Sequence, residues 1–255
     1  MNPTLEVIAN RRSVRKYANR QLLPAEKEAI LQAALRAPTA GNQMLYSIID
    51  VQDQALKDRL AHTCDDQPFI AAAPLVLLFL ADYQRWYDYF QFCGSEERAR
   101  QVGKNPRRPA QGDLLLACCD ALIAAQTAVI AAESLGIGSC YIGDVLENYE
   151  THRQMFSLPP YAIPVALLCF GYPAAARPSR RFSPNLVVYE NAYHPLDAAG
   201  LEQMDAELRQ RFGPGGFIEN ADNPGQHYYL RKFTAEFSVE MSRSVRSMIA
   251  SWVKG

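Results

Sequence analysis

The stretch DLLLACCDALIAAQTAVIAAESL, residues 113–135, limits this chain most. It is the longest regular element, and its apolar residues run almost the whole way round a helix, so it is either a centrally buried helix or a membrane span. Asp120 and Gln126 interrupt the run and both flanks are ordinary polar sequence, which selects the buried helix. Its many alanines let a neighbouring helix approach closely, and an apolar surface on every side points to a subunit interface. With 255 residues, 49% hydrophobic and 21% charged, the chain has ample apolar material for a globular core. A formal charge of −1 gives no global reason to expect nucleic acid or an acidic membrane as partner.

Around that helix the chain alternates helical and strand patterns. Residues 24–37 read as a helix: Ile30, Ala33, Ala34 and Ala37 share a face, Pro24 suits the first turn, and Pro38 stops the run. Residues 46–51 read as a short β-branched strand, and PLVLLFLA, residues 74–81, as a strand covered on both faces. The intervening loop APTAGNQ joins helix to strand; it is either a simple connector or a surface shaped to meet something flat. In DYQRWYDYFQF, Tyr83, Trp86, Tyr87 and Phe90 fall on one helical face, the ordinary mark of packing. RARQVGKNPRRP then reads as a mobile excursion whose glycine and prolines argue against one long helix. Gly136 is placed to end the long helix. SCYIGDV, AIPVALLCFGYP and NLVVYENAY follow as strand candidates. Beyond residue 195 come two helical patterns, one with Leu201, Met204 and Leu208, the other with Val245, Met248, Ile249 and Trp252, with a loop GPGGFIENADNPGQ between them. The expected architecture is one α+β domain, a core over residues 1–195 and a helical extension over 196–255.

Few residues announce chemistry. The six cysteines form no CxxC pair, there are four histidines and no HExxH, so a metal site has little support. Arginines near the N-terminus lack a following apolar stretch, so no signal peptide is read there, and a reduced cytoplasmic protein is expected. RRSVRKY gathers Arg11, Arg12 and Arg15 around Ser13, and guanidinium forks with a hydroxyl suit phosphate oxygens; a solvated basic helix end has the same composition. A second pair, Arg180 and Arg181, precedes the last strand candidate. GIGSCYIGD misses the dinucleotide spacing and follows a helix instead of opening one. No Walker A sequence or G-x-S-x-G elbow occurs. A Ser–His–Asp hydrolase stays open on composition, although nothing marks its nucleophile.

Four segments in this order resemble the FMN-dependent nitroreductase family: RRSVRKY, a helix ending in APTAGNQ, YIGDV after a long apolar helix, and RRF. The tail RKFTAEFSVEMSRSVRSMIASW is similar to that of the longer, oxygen-insensitive NAD(P)H nitroreductases. The resemblance implies a homodimeric α+β sandwich, a mostly antiparallel sheet flanked by helices, with FMN in two clefts at the dimer interface. It implies that Arg11, Arg12, Ser13 and Arg15 hold the phosphate and ribityl chain, joined by Arg180 and Arg181. Gln67 would contact the flavin, Thr39, Ala40 and Asn42 would reach it from the other subunit, and Tyr141, Ile142, Gly143 and Asp144 would line its face and edge. Donors and cations suit the negative charge of reduced flavin, and a glycine lets backbone approach the ring. The loop APTAGNQ is then the surface that meets something flat.

The implied activity is hydride transfer from NAD(P)H through flavin N5 to nitroaromatic or quinone acceptors, in alternation at one place. The cofactor carries the chemistry, so no dedicated acid or base is needed. The excursion over residues 82–111 would cap the cleft, its aromatics stacking on a planar substrate and Arg98, Arg100, Lys104, Arg107 or Arg108 meeting a dinucleotide phosphate. The rival readings are a flavin store or redox sensor using the same site, and a hydrolase with an unmarked serine. Small molecules and a second copy of the chain are the expected partners; nucleic acid and membrane are not.

Overall fold

A computed structural model describes residues 2–175, 180–212 and 216–255. The chain divides into two compact units, residues 1–177 with 240–255, and residues 178–239. Residues 240–255 of the expected helical extension count with the first unit.

The elements begin with α1 (Pro3–Asn10), β1 (Lys16–Tyr17), α2 (Pro24–Leu35) and β2 (Tyr46–Asp50). Next come α3 (Gln54–Thr63), α4 (Pro68–Ala71), β3 (Leu75–Asp82), α5 (Gln84–Phe92) and α6 (Ser95–Gln101). The long helix α7 (Gln111–Ser134) leads to β4 (Gly138–Ile142), α8 (Tyr149–Met155), β5 (Ala162–Gly171) and β6 (Pro173–Ala175). The remainder is helical: α9 (Ala198–Phe212), α10 (Pro224–Tyr228) and α11 (Glu236–Lys254). Four strands make one sheet in the order β2-β3-β5-β4, every neighbouring pair antiparallel. A small two-stranded sheet pairs β1 with β6.

The sheet is covered on both faces, as the continuous apolar run of β3 requires. Leu75, Leu77 and Phe79 pack with α7 alanines and with Ile30 and Ala34 of α2. Val76, Leu78 and Leu80 turn the other way, onto Leu60 and Ala61 of α3. This is strand alternation with an apolar residue at both phases. Against β3, the pairing of β5 slips between Phe79 and Leu80, which face Ala166 and Pro164. The irregularity lets a proline, which has no N–H to give, sit inside a central strand. A third cluster joins Leu114 and Ala117 of α7 to Tyr149, Tyr161 and Ile163, with Met248 and Trp252 of α11, which is why the last helix belongs to the core. The aromatics of α5 pack there as their spacing implied: Trp86 and Tyr87 lie against this cluster, and the Tyr87 and Tyr161 rings meet at 5.1 Å.

Helix α7 is buried along one face and open along another. Ala117, Ala121, Ala124, Ala125, Ala128 and Ala132 are fully covered, because a methyl side chain lets the helix lie close on the sheet. Leu115, Leu116, Leu122 and Ile123 are exposed. Among the described residues this is the one helix long and apolar enough to cross a bilayer, yet nine of its residues are buried in this unit.

Three expectations need correction. NLVVYENAY is not a strand: residues 184–186 form a 3-10 turn and the chain beyond is irregular, with Val187 and Val188 exposed. The excursion after α5 is partly ordered as α6, and residues 102–110 beyond it are irregular. In the loop expected over 213–226, residues 224–226 open α10; residues 213–215 lie outside the described residues.

Candidate functional site

The segment RRSVR is held by its one apolar residue. Val14 is buried, its N–H donates to Ser139 O at 2.9 Å, and Ser13 bridges Ser139 in parallel, so the segment lies along β4. The fit requires glycine at position 138, where an added Cβ would stand 2.3 Å from Val14 Cγ2. With Val14 turned inward, Arg12, Ser13 and Arg15 are exposed and Arg11 half-buried. The arginines act on the end of α7 and on β4. Burial raises the Glu133 carboxyl, and Arg11 and Arg12 pull it back. Burial likewise raises the Cys140 thiol, with Arg15, a hydrogen bond to Ser13, and Arg11 opposing. The Tyr141 phenol is pushed up to about 12 by burial, against Arg11, and its hydroxyl donates to Gln126 Oε1 of α7 at 3.4 Å. Arg15 also stands 5.8 Å from the Phe69 ring centre.

Past Tyr141 and the buried Ile142, β4 runs into a 3-10 turn over Gly143–Leu146. Adding a Cβ at Gly143 meets nothing within 4 Å, and its φ is not in the left-handed region, so neither packing nor backbone of this chain calls for glycine there. The side chain of Asp144 meets Gln67: Gln67 Nε2 donates to Asp144 Oδ2 at 2.7 Å and to Cys64 O at 2.8 Å. Gln67 stands just ahead of α4, reached through Asp65 and Asp66, both with positive φ. The structure thus lays the segment Arg11–Arg15 along β4, with Arg11 acting on Tyr141, while Gln67 meets Asp144 past the far end of the strand.

The loop carrying Thr39, Ala40 and Asn42 is built separately. Gly41, Asn42 and Met44 have φ of 54°, 57° and 52°, a conformation costly for any residue with a side chain. Buried Asp120 of α7 holds the loop, accepting from Ala40 N at 3.0 Å and Leu45 N at 3.1 Å. Thr39 Oγ1 accepts from Met44 N at 3.1 Å, and Trp86 Nε1 donates to Gln43 O at 2.7 Å. Arg85 donates to Met44 O and to Tyr46 O. That Asp120, Arg85 and Trp86 hold this loop was not read from the sequence. The one available signal was a carboxylate in an otherwise apolar helix.

Two further basic groups were expected at the site. Arg180 and Arg181 belong to the second unit, where Arg180 donates to Gln210 Oε1 at 3.2 Å. The basic excursion is largely neutralised at home. Arg100 pairs with Glu96 and Glu97, Arg107 binds Asp113 through both terminal nitrogens, and Arg108 donates to Gly255 O at 3.0 Å. Arg98 lies 3.4 Å from Gln101 Oε1, and Lys104 is exposed.

Comparison with known proteins shows the family. The Nitroreductase family matches residues 8–172, a span that includes the arginine segment, the 39–42 loop, Gln67 and the end of β4. The chain is 32% identical over 228 residues to an oxygen-insensitive NADPH nitroreductase of Salmonella typhimurium, covering 89% of this chain and 90% of that protein. It is 30% identical over 195 residues to an FMN reductase (NADPH) of Bacillus subtilis, covering 76% of each. In three dimensions it superposes on B. megaterium NfrA2 with a TM-score of 0.81 at 25% identity, over 99% of this chain and 98% of the other. With the family match across more than half its length and relatives of this coverage, the chain belongs to the nitroreductase family.

Proposed function

We propose that the chain is an FMN-dependent oxidoreductase that takes a hydride from NAD(P)H and passes it to nitroaromatic or quinone acceptors. The carrying observation is the docking of RRSVR along β4, the strand that runs on into Gly143 and the Gln67-bound Asp144. Relatives named as an NADPH nitroreductase and an FMN reductase support the reading. The residues fit the group: cations and Ser13 suit a terminal phosphate, while Gln67 Oε1 and Asp144 offer acceptors to N–H groups at a polar ring edge. Open space at Gly143, which the chain's own packing does not require, suits close approach of backbone to a flat ligand. FMN, when bound, supplies the centre that accepts and returns two electrons. The residues bind and orient, and no side chain is assigned as acid or base.

The functional unit in this reading is a cytoplasmic homodimer with shared sites. The exposed Leu115, Leu116, Leu122 and Ile123 of α7 provide an apolar face for a second copy. The Thr39–Asn42 loop, rigidly tied to α7 through Asp120, travels with that face and serves the partner's flavin. The test begins with the visible spectrum of the purified protein, before and after NADPH, and with chromatography of the ligand released by heat. FMN bleached by NADPH and recoloured by an acceptor is expected, and the recolouring separates an enzyme from a flavin store. FAD, or no flavin after reconstitution, would reject the proposal.

A further inference from the structure

Glu147 follows the turn that carries Asp144, and it is 5% exposed with Oε1 buried and without a hydrogen-bond partner. Its surroundings are acidic. Its own turn contributes Asp144, whose side chain is within hydrogen-bonding reach, and whose backbone oxygen accepts from Glu147 N at 3.0 Å. The α3–α4 connection contributes Asp65 and the buried Cys64 thiol, and α11 contributes Glu240. Glu240 is tied to Arg243 and accepts from Asn148 N at 3.2 Å. On α8, His152 is fully buried, with Nδ1 3.1 Å from Val145 O, and it is held in its neutral form by burial. A carbonyl only accepts, so Nδ1 carries the proton there. Among the described residues no group of three or more of these side chains is arranged to hold a metal ion.

Two neighbouring carboxyls on one turn, one of them buried with an unpaired oxygen, cannot both stay ionised without a large desolvation and repulsion cost. We propose that Glu147 is a positioning residue: in its protonated form the carboxyl donates a hydrogen bond to Asp144 and so fixes the Asp144–Gln67 pair. Burial, then Asp144 and Asp65, push Glu147 up to about 7, so the proton leaves to solvent as the pH rises through neutrality. Ionisation removes the O–H donor, adds a second negative charge beside Asp144, and frees the contact that orients the Gln67 amide. The link from this pair to flavin binding rests on the function proposed above; the pair itself does not.

The test uses the full chain, wild type against Glu147→Gln, a neutral isostere that keeps an N–H donor for Asp144. Infrared spectra compared across about pH 6 to about pH 8.5 should show a protonated-carboxyl C=O stretch that fades through neutrality in wild type and is missing in Glu147→Gln. Over the same span, wild-type apoprotein should lose about fivefold in FMN affinity relative to Glu147→Gln, the variant holding its affinity at the alkaline end. The ratio cancels the titration of FMN itself. Identical spectra, or affinities that run parallel at every pH, would overturn the proposal. A band lost in Glu147→Gln with FMN bound by neither protein would uphold the acid pair and sink the flavin reading. Should Glu147→Gln fail to fold, Asp144→Asn reads the same pair: removing the neighbouring carboxylate should move the fading of the band to lower pH. An unmoved band there would overturn the pairing.

Discussion

At the scale of single residues, buried carboxylates do most to shape the candidate site. Asp120 is 2% exposed and takes two backbone N–H groups, at 3.0 and 3.1 Å, from a loop that begins 80 positions earlier. Asp120→Ala leaves both donors buried without acceptors, so a loss of roughly 3 kcal/mol in denaturant unfolding is expected, with Asp120→Asn losing less. Unchanged stability in Asp120→Ala would show that the loop finds other acceptors. Glu147 and His152 bound the pH range from opposite sides. Glu147 holds its proton more tightly folded than unfolded, so stability falls as pH rises from about 4.5 to about 7. His152 holds its proton less tightly, so stability falls as pH drops below its usual 6.5. Glu147→Gln should therefore gain roughly 2 kcal/mol over wild type at about pH 8 and nothing near pH 4. A gain independent of pH would refute this sign. None of these roles was legible in the sequence, where Asp120 was only a polar break in a helix. Glu147 had no mark at all, because its neighbours arrive from α11 and from the connection after α3.

At the scale of elements, local pattern carried further. The alternation of β3, the alanine face of α7 and the aromatic face of α5 follow from side-chain period, and each element found a surface to cover. NLVVYENAY had the propensity of a strand, but propensity without a sheet edge to bond makes none. The pairing of RRSVR with β4 depends on one close approach. Gly138→Ala would set a methyl 2.3 Å from Val14 Cγ2 and 2.9 Å from Val14 Cβ, lifting the arginines off the strand. A destabilisation of about 2 kcal/mol and at least a tenfold loss of FMN affinity are expected. Val14→Ala in the same chain removes the nearest of these atoms and should return part of the affinity. If the double variant binds FMN worse than Gly138→Ala alone, the clash is not the cause.

For the molecule as a whole, the question is what covers α7. Leu115 is 68% exposed, and Leu116, Leu122 and Ile123 are open beside it, a continuous apolar stripe of the kind that marks an interface. Wild type should scatter light as a dimer, and Leu122→Asp with Ile123→Asp as a monomer that has lost FMN, since the Thr39–Asn42 loop would have no second site to serve. A dimer that survives both changes would place the interface elsewhere. The sequence by itself determined α2, the long helix α7 and the covered strands β3 and β5, along with the order of motifs that marks the family. Those properties are periodic or contiguous, so neighbouring residues encode them. Only the tertiary structure decided that Asp120 grips the 39–45 loop, that Gln67 binds Asp144 across 77 positions, and that Glu147 sits among carboxyls. Hydrogen bonds and charge repulsion act over a few ångströms, and a chain brings distant residues that close only when its whole core has packed.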